Sequence, residues 1–388
     1  MKANSHMFAF VSACFIIEPC SLGLCQLERR AMEISDHSDW RSEATGPASN
    51  SGLLRGTAGT PDKFEKSTWV TTPNSPESAL RGVNLSGGEF GKVPGKLGHD
   101  YIYPSNSLID QVRERGFGLV RIPFRWERVQ PLPYGDLSAS DLSQLRRVTE
   151  HANALGMVVV LDLHNYARRS VDSRTETVGT PALPAAALAD FWEKLGSEFK
   201  DQDNIWIGLM NEPHGLSADR WWAVAQEVVN RLRARSINNV LLVPGTRWSG
   251  AWSWKVSGNA QEAEAFSDPQ SNTIFEVHQY LDADSSGTSN ECSTKSAERV
   301  DDVIDWAETG RHKLFFGEIA AGSGANCERE YTSMLQRLNV SNSVVAWAAW
   351  GGGAWWPESY PFRLTFDQQI RQTPHDQYLF QTMKQNNE

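Results

Sequence analysis

Two glutamates stand near the ends of otherwise apolar runs: Glu212 in IWIGLMNEP (205–213) and Glu318 in KLFFGEI (313–319). A carboxylate in such surroundings is costly unless a hydrogen-bonding network or a reaction makes use of it. Either one alone could be a salt-bridged strand terminus or a helix cap. Two of them, on separate runs, point to chemistry that divides labour between carboxyl groups, because burial moves their pKa values apart. Hydrolysis of a glycosidic bond asks for such a pair. One carboxylic acid protonates the departing oxygen, one carboxylate attacks the anomeric carbon, and about 5 Å separates the two when configuration is retained.

Other polar residues recur in equivalent places. Arg121 interrupts GLVRIPF (118–124), His164 and Asn165 end MVVVLDLH (157–164), and Asn211 precedes Glu212. His278 and Tyr280 lie in IFEVHQYL (274–281), and Trp350 ends VVAWAAW (344–350). With LRGVNL (80–85) and VLLVPG (240–245) these make eight short apolar runs, read here as strands. Near-continuous apolar strands are expected where both faces of a parallel sheet are buried. Between them lie helical patterns: Phe191, Trp192, Leu195 and Phe199; Trp221, Val224, Val228 and Leu232; Val300, Val303, Ile304 and Ala307.

Eight strand–helix units over about 300 residues predict an α/β protein, a single (β/α)8 TIM barrel, whose strand ends would bring the polar residues to one mouth. A doubly wound open sheet is the alternative. Against it, no glycine-rich phosphate loop follows the first run, and polar residues recur at the ends of six different runs. No repeat of fixed length favours a solenoid or propeller.

The chain has 388 residues, with 37 Lys plus Arg against 47 Asp plus Glu, a formal charge of −10. No basic field is present to attract nucleic acid or anionic lipid, so the expected partner is neutral or cationic. Fifteen Trp exceed what a core of Leu, Ile and Val requires, and some of those rings are expected to face a ligand. Residues 1–30, with Lys2, an apolar stretch from Met7 to Ile17 and then Cys20 and Cys25, have roughly the layout of a leader for export, making the protein secreted or periplasmic. Glu18 interrupts that stretch and no clean cleavage site follows; a misassigned start or a disordered extension is the other reading. Residues 31–78, rich in Ser, Thr, Gly, Pro and Ala, read as a flexible linker, and 79–388 as the catalytic domain. No apolar run is long enough to span a bilayer, so stable membrane insertion is not expected. Three cysteines, Cys14, Cys20 and Cys25, fall in the leader. Cys292 and Cys327 remain for the folded body, as one disulfide or as two free thiols.

The ordered series LVRIPFRWERVQP, VVLDLHNY, IGLMNEPHG, LVPGTRWSGAWSW, FEVHQYLD, LFFGEIA and WGGGAWW resembles the successive strand-end motifs of glycoside hydrolase family 5, close to its fungal and bacterial endoglucanases. The resemblance covers about Arg81 to Phe362. It implies a retaining endo-β-1,4-glucanase acting on cellulose-like polysaccharide, with Glu212 as general acid/base and Glu318 as nucleophile. It implies that Asn211 binds the sugar 2-hydroxyl, that Arg121 and Tyr280 hold Glu318, that His278 lies beside Glu212, and that His164 and Asn165 line the subsite before the cleaved bond. Trp350 would be a platform for a pyranose ring, and Trp252, Trp254, Trp355 and Trp356 would extend the cleft. Related endoglucanases have a bridge between the loops that carry Cys292 and Cys327. One departure is Ala320, where the family commonly has Gly.

No cofactor is implied, and no helical pattern carries two histidines at zinc-ligand spacing. A monomer with a β-glucan polysaccharide or oligosaccharide as partner is the expectation. Mannan, xyloglucan and mixed-linkage glucan are alternative substrates, and an inactive carbohydrate-binding barrel is the alternative from another class.

Overall fold

A computed structural model describes residues 79–367 and 372–385. Residues 1–78, expected as a leader and a linker and holding Cys14, Cys20 and Cys25, lie outside the described residues.

Eight parallel strands close a barrel: β1 (Leu80–Leu85), β2 (Leu119–Phe124), β3 (Val158–Leu163), β6 (Ile205–Gly208), β7 (Leu241–Pro244), β8 (Thr273–Tyr280), β9 (Leu314–Ala320) and β10 (Val344–Gly352). The sequential neighbours in that ring pair with one another, and β10 closes onto β1. All eight expected runs are strands, and the fold is the (β/α)8 barrel read from the sequence. Strands β2, β3, β6, β7 and β9 are buried along their whole length, which is why their sequences show no polar alternation.

The helical stripes are buried as their spacing implies. In the helix Ala185–Phe199 the residues Phe191, Trp192, Leu195 and Phe199 face the core, and in Ala218–Ala234 the residues Trp221, Val224, Val228 and Leu232 do so. Val303, Ile304 and Ala307 of Asp301–Gly310 do the same.

One element was not foreseen. After β3 the chain folds into an antiparallel hairpin, β4 (Arg168–Val171) and β5 (Arg174–Thr177). Its two-residue loop, Asp172 and Ser173, has φ of +47° and +65°, the positive pair that tight hairpins need. Asp-Ser is a weaker signal for that turn than Asn-Gly, so the hairpin is poorly marked in the sequence.

Register then sets the mouth. Arg121 of β2 lies opposite Asn84 of β1. Between β8 and β9 the register slips by one residue, pairing Val277 with Phe316 but His278 with Glu318. The extra residue is Gly317. A Cβ there would meet Oε1 of Glu276 at 2.1 Å, so a glycine before Glu318 is what lets the Glu276 carboxylate fit.

Candidate active site

The centre of the mouth is Arg121, fully buried, with every side of its guanidinium occupied. It meets Asp162 at 3.1 Å, Glu276 at 3.1 Å and Glu318 Oε1 at 3.0 Å, and donates to Asn84 Oδ1 (2.9 Å) and Asn211 Oδ1 (2.7 Å). Burial alone would lower its pKa, but Asp162, Glu276, Glu318 and Glu212 outweigh that and raise it, so the charge is permanent. Removing this one cation would strand several buried carboxylates, a loss of about 3–5 kcal/mol for a broken buried ion pair.

Glu318, near the end of β9, accepts from Arg121 on Oε1 and from the Tyr280 hydroxyl on Oε2 at 2.6 Å. Tyr280 is a reliable donor: burial first, then the neighbouring Glu318, hold its pKa well above the ordinary value. Glu212 lies four residues beyond β6 and keeps 16% of its side chain exposed, so its carboxyl reaches the opening. Its pKa is raised, chiefly by burial and further by Glu318, against the hydrogen bond from His278. One oxygen of Glu212 and one of Glu318 lie within 4.8 Å of each other.

His278 stands between the two, its Nδ1 2.9 Å from Glu212 Oε1 and 3.7 Å from Glu318 Oε2, its Nε2 3.3 Å from Glu276 Oε1. Burial would discharge the ring, yet Glu318, Glu212 and Glu276 together push its pKa up to about 10. With Arg121 it is the second buried cation offsetting the carboxylates. Among the described residues, Glu212, His278 and Glu318 are a trio close enough to share a metal ion. The donor set suits proton chemistry better, because a protonated imidazole has no lone pair to give.

His164 is held in the opposite state. Burial lowers its pKa to about 3, and its Nδ1 donates to Asp162 Oδ2 at 2.7 Å. The neutral Nε2 therefore accepts, facing Asn211 Nδ2 at 3.3 Å and the Tyr166 hydroxyl at 3.1 Å. Trp350 lies nearly parallel to His164, with ring centroids 5.7 Å apart, and is fixed by a hydrogen bond from its Nε1 to the Tyr360 hydroxyl.

Arg121, His164, Asn211, Glu212, His278, Tyr280, Glu318 and Trp350 are thus brought together. Asn165 is not. Its Oδ1 accepts from Trp126 N–H, and its Nδ2 donates to Glu127 Oε2 and the Arg168 carbonyl, so the amide ties β3 to the segment after β2. Trp254 is fully buried among Trp222, Phe275 and Trp306 and belongs to the core behind the barrel. Trp356 is also packed away, stacked on Tyr360 with centroids 3.9 Å apart and hydrogen-bonded to the Gly352 carbonyl. Trp252 and Trp355, 43% and 38% exposed, keep faces open to solvent.

Asn84, Asp162 and Glu276 were passed over in the sequence. A period-two reading would have found two of them, since Asp162 and Glu276 lie two residues before His164 and His278 and so face the same side of their strands. Cys292 and Cys327 form a disulfide joining the loop after β8 to the start of the helix Cys327–Val340 that follows β9.

Residues 72–354 match the family described as Cellulase (glycosyl hydrolase family 5). Endo-beta-1,4-glucanase B of Aspergillus niger is 32% identical over 289 residues, 73% of this chain and 84% of the relative. Among solved structures, XacCel5A in complex with cellopentaose is 38% identical with a TM-score of 0.75, over 79% of this chain and 99% of that one. Pseudomonas stutzeri endoglucanase Cel5A is 29% identical with a TM-score of 0.71, over 81% of this chain and 96% of its own.

Proposed function

The chain belongs to the cellulase family, glycosyl hydrolase family 5, and from that premise we propose that it is a retaining endo-β-1,4-glucanase working by double displacement. The observation that carries the reading is the approach of a Glu212 oxygen to a Glu318 oxygen within 4.8 Å, which suits the short carboxyl separation of a covalent, retaining mechanism and not the roughly 6.5–9.5 Å of an inverting one.

In the first step Glu318 attacks the anomeric carbon while Glu212, its pKa raised by burial, passes its proton to the departing glycosidic oxygen. Arg121 and Tyr280 hold the attacking carboxylate, so little reorganisation is needed as charge moves onto the sugar. In the second step Glu212, now ionised, takes a proton from a water that attacks the same carbon, breaking its bond to Glu318 and releasing that carboxylate. Two inversions restore the original configuration. Asn211, with its Oδ1 committed to Arg121 and its Nδ2 3.3 Å from His164 Nε2, has a second N–H to give to the sugar 2-hydroxyl. Trp350 offers the pyranose ring an apolar face, and Trp252 and Trp355 extend the cleft for a longer chain.

All of these groups come from one chain, which suits a monomeric enzyme. The Cys292–Cys327 disulfide favours an oxidising compartment and so supports export. No helix among the described residues is long and apolar enough to cross a membrane.

The test is hydrolysis of cellopentaose followed by NMR, with reducing-sugar release from carboxymethyl-cellulose, mannan, xyloglucan and lichenan in parallel. The β-anomer is expected to appear first and carboxymethyl-cellulose to be cleaved well. Initial release of the α-anomer would overturn the retaining mechanism, and activity confined to mannan would overturn the substrate.

A further inference from the structure

His214 has no part in the double displacement, although it follows Glu212 by two residues and is held on both edges and one face. Its Nδ1 lies 3.1 Å from the backbone carbonyl oxygen of Glu212, and its Nε2 lies 2.9 Å from Nη1 of Arg168. Trp248 stacks on the ring with centroids 4.7 Å apart and planes 13° from parallel. A guanidinium has only donors and does not give up its proton. The Nε2 that faces Arg168 must therefore carry the lone pair. The ring is neutral, and its one proton sits on Nδ1 and is donated to the Glu212 carbonyl.

That carbonyl belongs to a residue under strain. Glu212 has φ of +44°, a conformation that costs a non-glycine residue about 1–3 kcal/mol and persists only where its surroundings over-determine it. The segment is tied down on either side by Asn211 N–H to the Leu163 carbonyl (2.7 Å), Tyr166 N–H to the Asn211 carbonyl (3.0 Å) and Trp248 N–H to the Pro213 carbonyl (3.1 Å). The bond from His214 is the tie that grips the peptide of Glu212 itself. Arg168 starts the hairpin strand β4 and also donates to the Tyr166 carbonyl, so the unforeseen hairpin delivers the group that selects the tautomer.

We infer that His214, its tautomer imposed by Arg168, is a positioning residue that holds the left-handed backbone of Glu212 and thereby aims the acid/base carboxyl at the glycosidic oxygen. It acts through Glu212 and does not itself transfer the proton. Freed from this bond, Glu212 relaxes toward an ordinary φ and its carboxyl swings off line, and displacements near 1 Å at a reacting group can cost about 100-fold in rate. The inference rests on the acid/base role proposed for Glu212.

The test measures His214→Ala, Arg168→Met and Glu212→Gln on cellopentaose, whose leaving group needs a proton, and on an aryl cellobioside with an activated leaving group, which does not. His214→Ala is expected to lose about 10- to 100-fold in kcat/KM on cellopentaose, with kcat/KM for the aryl substrate, which reports a first step needing no proton, nearly unaffected. Equal losses of His214→Ala on the two substrates, or none, would overturn the inference, provided Glu212→Gln shows the contrast. If Glu212→Gln also lacks the contrast, the acid/base assignment fails instead. Should His214→Ala not fold, imidazole 15N spectra carry the decision. The wild type is expected to show a neutral His214 with its proton on Nδ1, and Arg168→Met to show that ring gaining a second proton as pH falls. A wild-type ring protonated on Nε2 would also overturn the inference.

Discussion

Tyr280 donates its hydroxyl to Oε2 of Glu318 at 2.6 Å while Arg121 occupies Oε1 at 3.0 Å, so both oxygens of one carboxylate are held by groups from two different strands. The tyrosine comes from β8 and the arginine from β2, and the register slip between β8 and β9 brings Glu318 opposite His278.

Tyr280→Phe removes the shorter of these bonds and leaves the ring. A hydrogen bond to a charged group contributes about 1.5–3 kcal/mol, so kcat is expected to fall roughly 10- to 100-fold. Steady-state kinetics on cellopentaose checks this. An unchanged kcat would mean that the phenol does not hold the nucleophile during turnover.

Glu318→Gln keeps the shape of the nucleophile and takes away its ability to attack. Turnover is expected to drop by about 10⁴-fold or more, with cellopentaose binding retained in calorimetry. Turnover near that of the wild type would remove Glu318 from the role of nucleophile.

Trp252 and Trp254 should separate cleanly although two residues apart. Trp254→Ala opens a hole in a buried aromatic cluster and is expected to cost about 3–5 kcal/mol in urea unfolding. Trp252→Ala, at an exposed ring, should leave stability within about 0.5 kcal/mol and raise KM for long substrates more than for short ones. A large stability loss at Trp252 would contradict its exposed position.

Two pH effects follow from opposite needs. Glu212 must carry a proton to act as the acid, and its pKa is raised by burial, so the alkaline limb of kcat/KM is its deprotonation, above the ordinary carboxylate range. Stability follows His278, whose pKa is about 10 in the folded protein against an ordinary 6.5. The folded state binds this proton more tightly, so its contribution is complete below about 6.5 and is lost as pH rises through about 10. Urea midpoints measured between pH 6 and pH 10.5 should fall across that window in the wild type, and less in His278→Asn. An equal fall in both proteins would mean that the ring does not carry the buried charge.

Much of the barrel could be read in advance because burial on both faces leaves an unmistakable apolar run, and a polar residue within such a run needs a reason. That logic found Arg121, Asn211, Glu212, His278, Tyr280 and Glu318 without a structure. It failed where a residue type is equally at home in two environments. Trp252 and Trp254 share a loop and a composition, and only packing sends one to solvent and the other to the core. Asn165 follows His164 directly, yet successive strand-end side chains point to opposite sides, and its amide is spent on Trp126, Glu127 and Arg168.

The sequence by itself determined the strands, the helices between them, the pair of carboxyls and the cysteines available for a bridge, because these depend on local pattern and residue chemistry. The tertiary structure decided the rest: that Asp162 and Glu276 share Arg121, that a neutral His164 and a protonated His278 stand in one mouth, and that a hairpin arginine reaches the histidine behind Glu212. Charge states and tautomers belong to the arrangement. Each is set by what surrounds a group within a few ångströms, and residues far apart in the chain supply those surroundings.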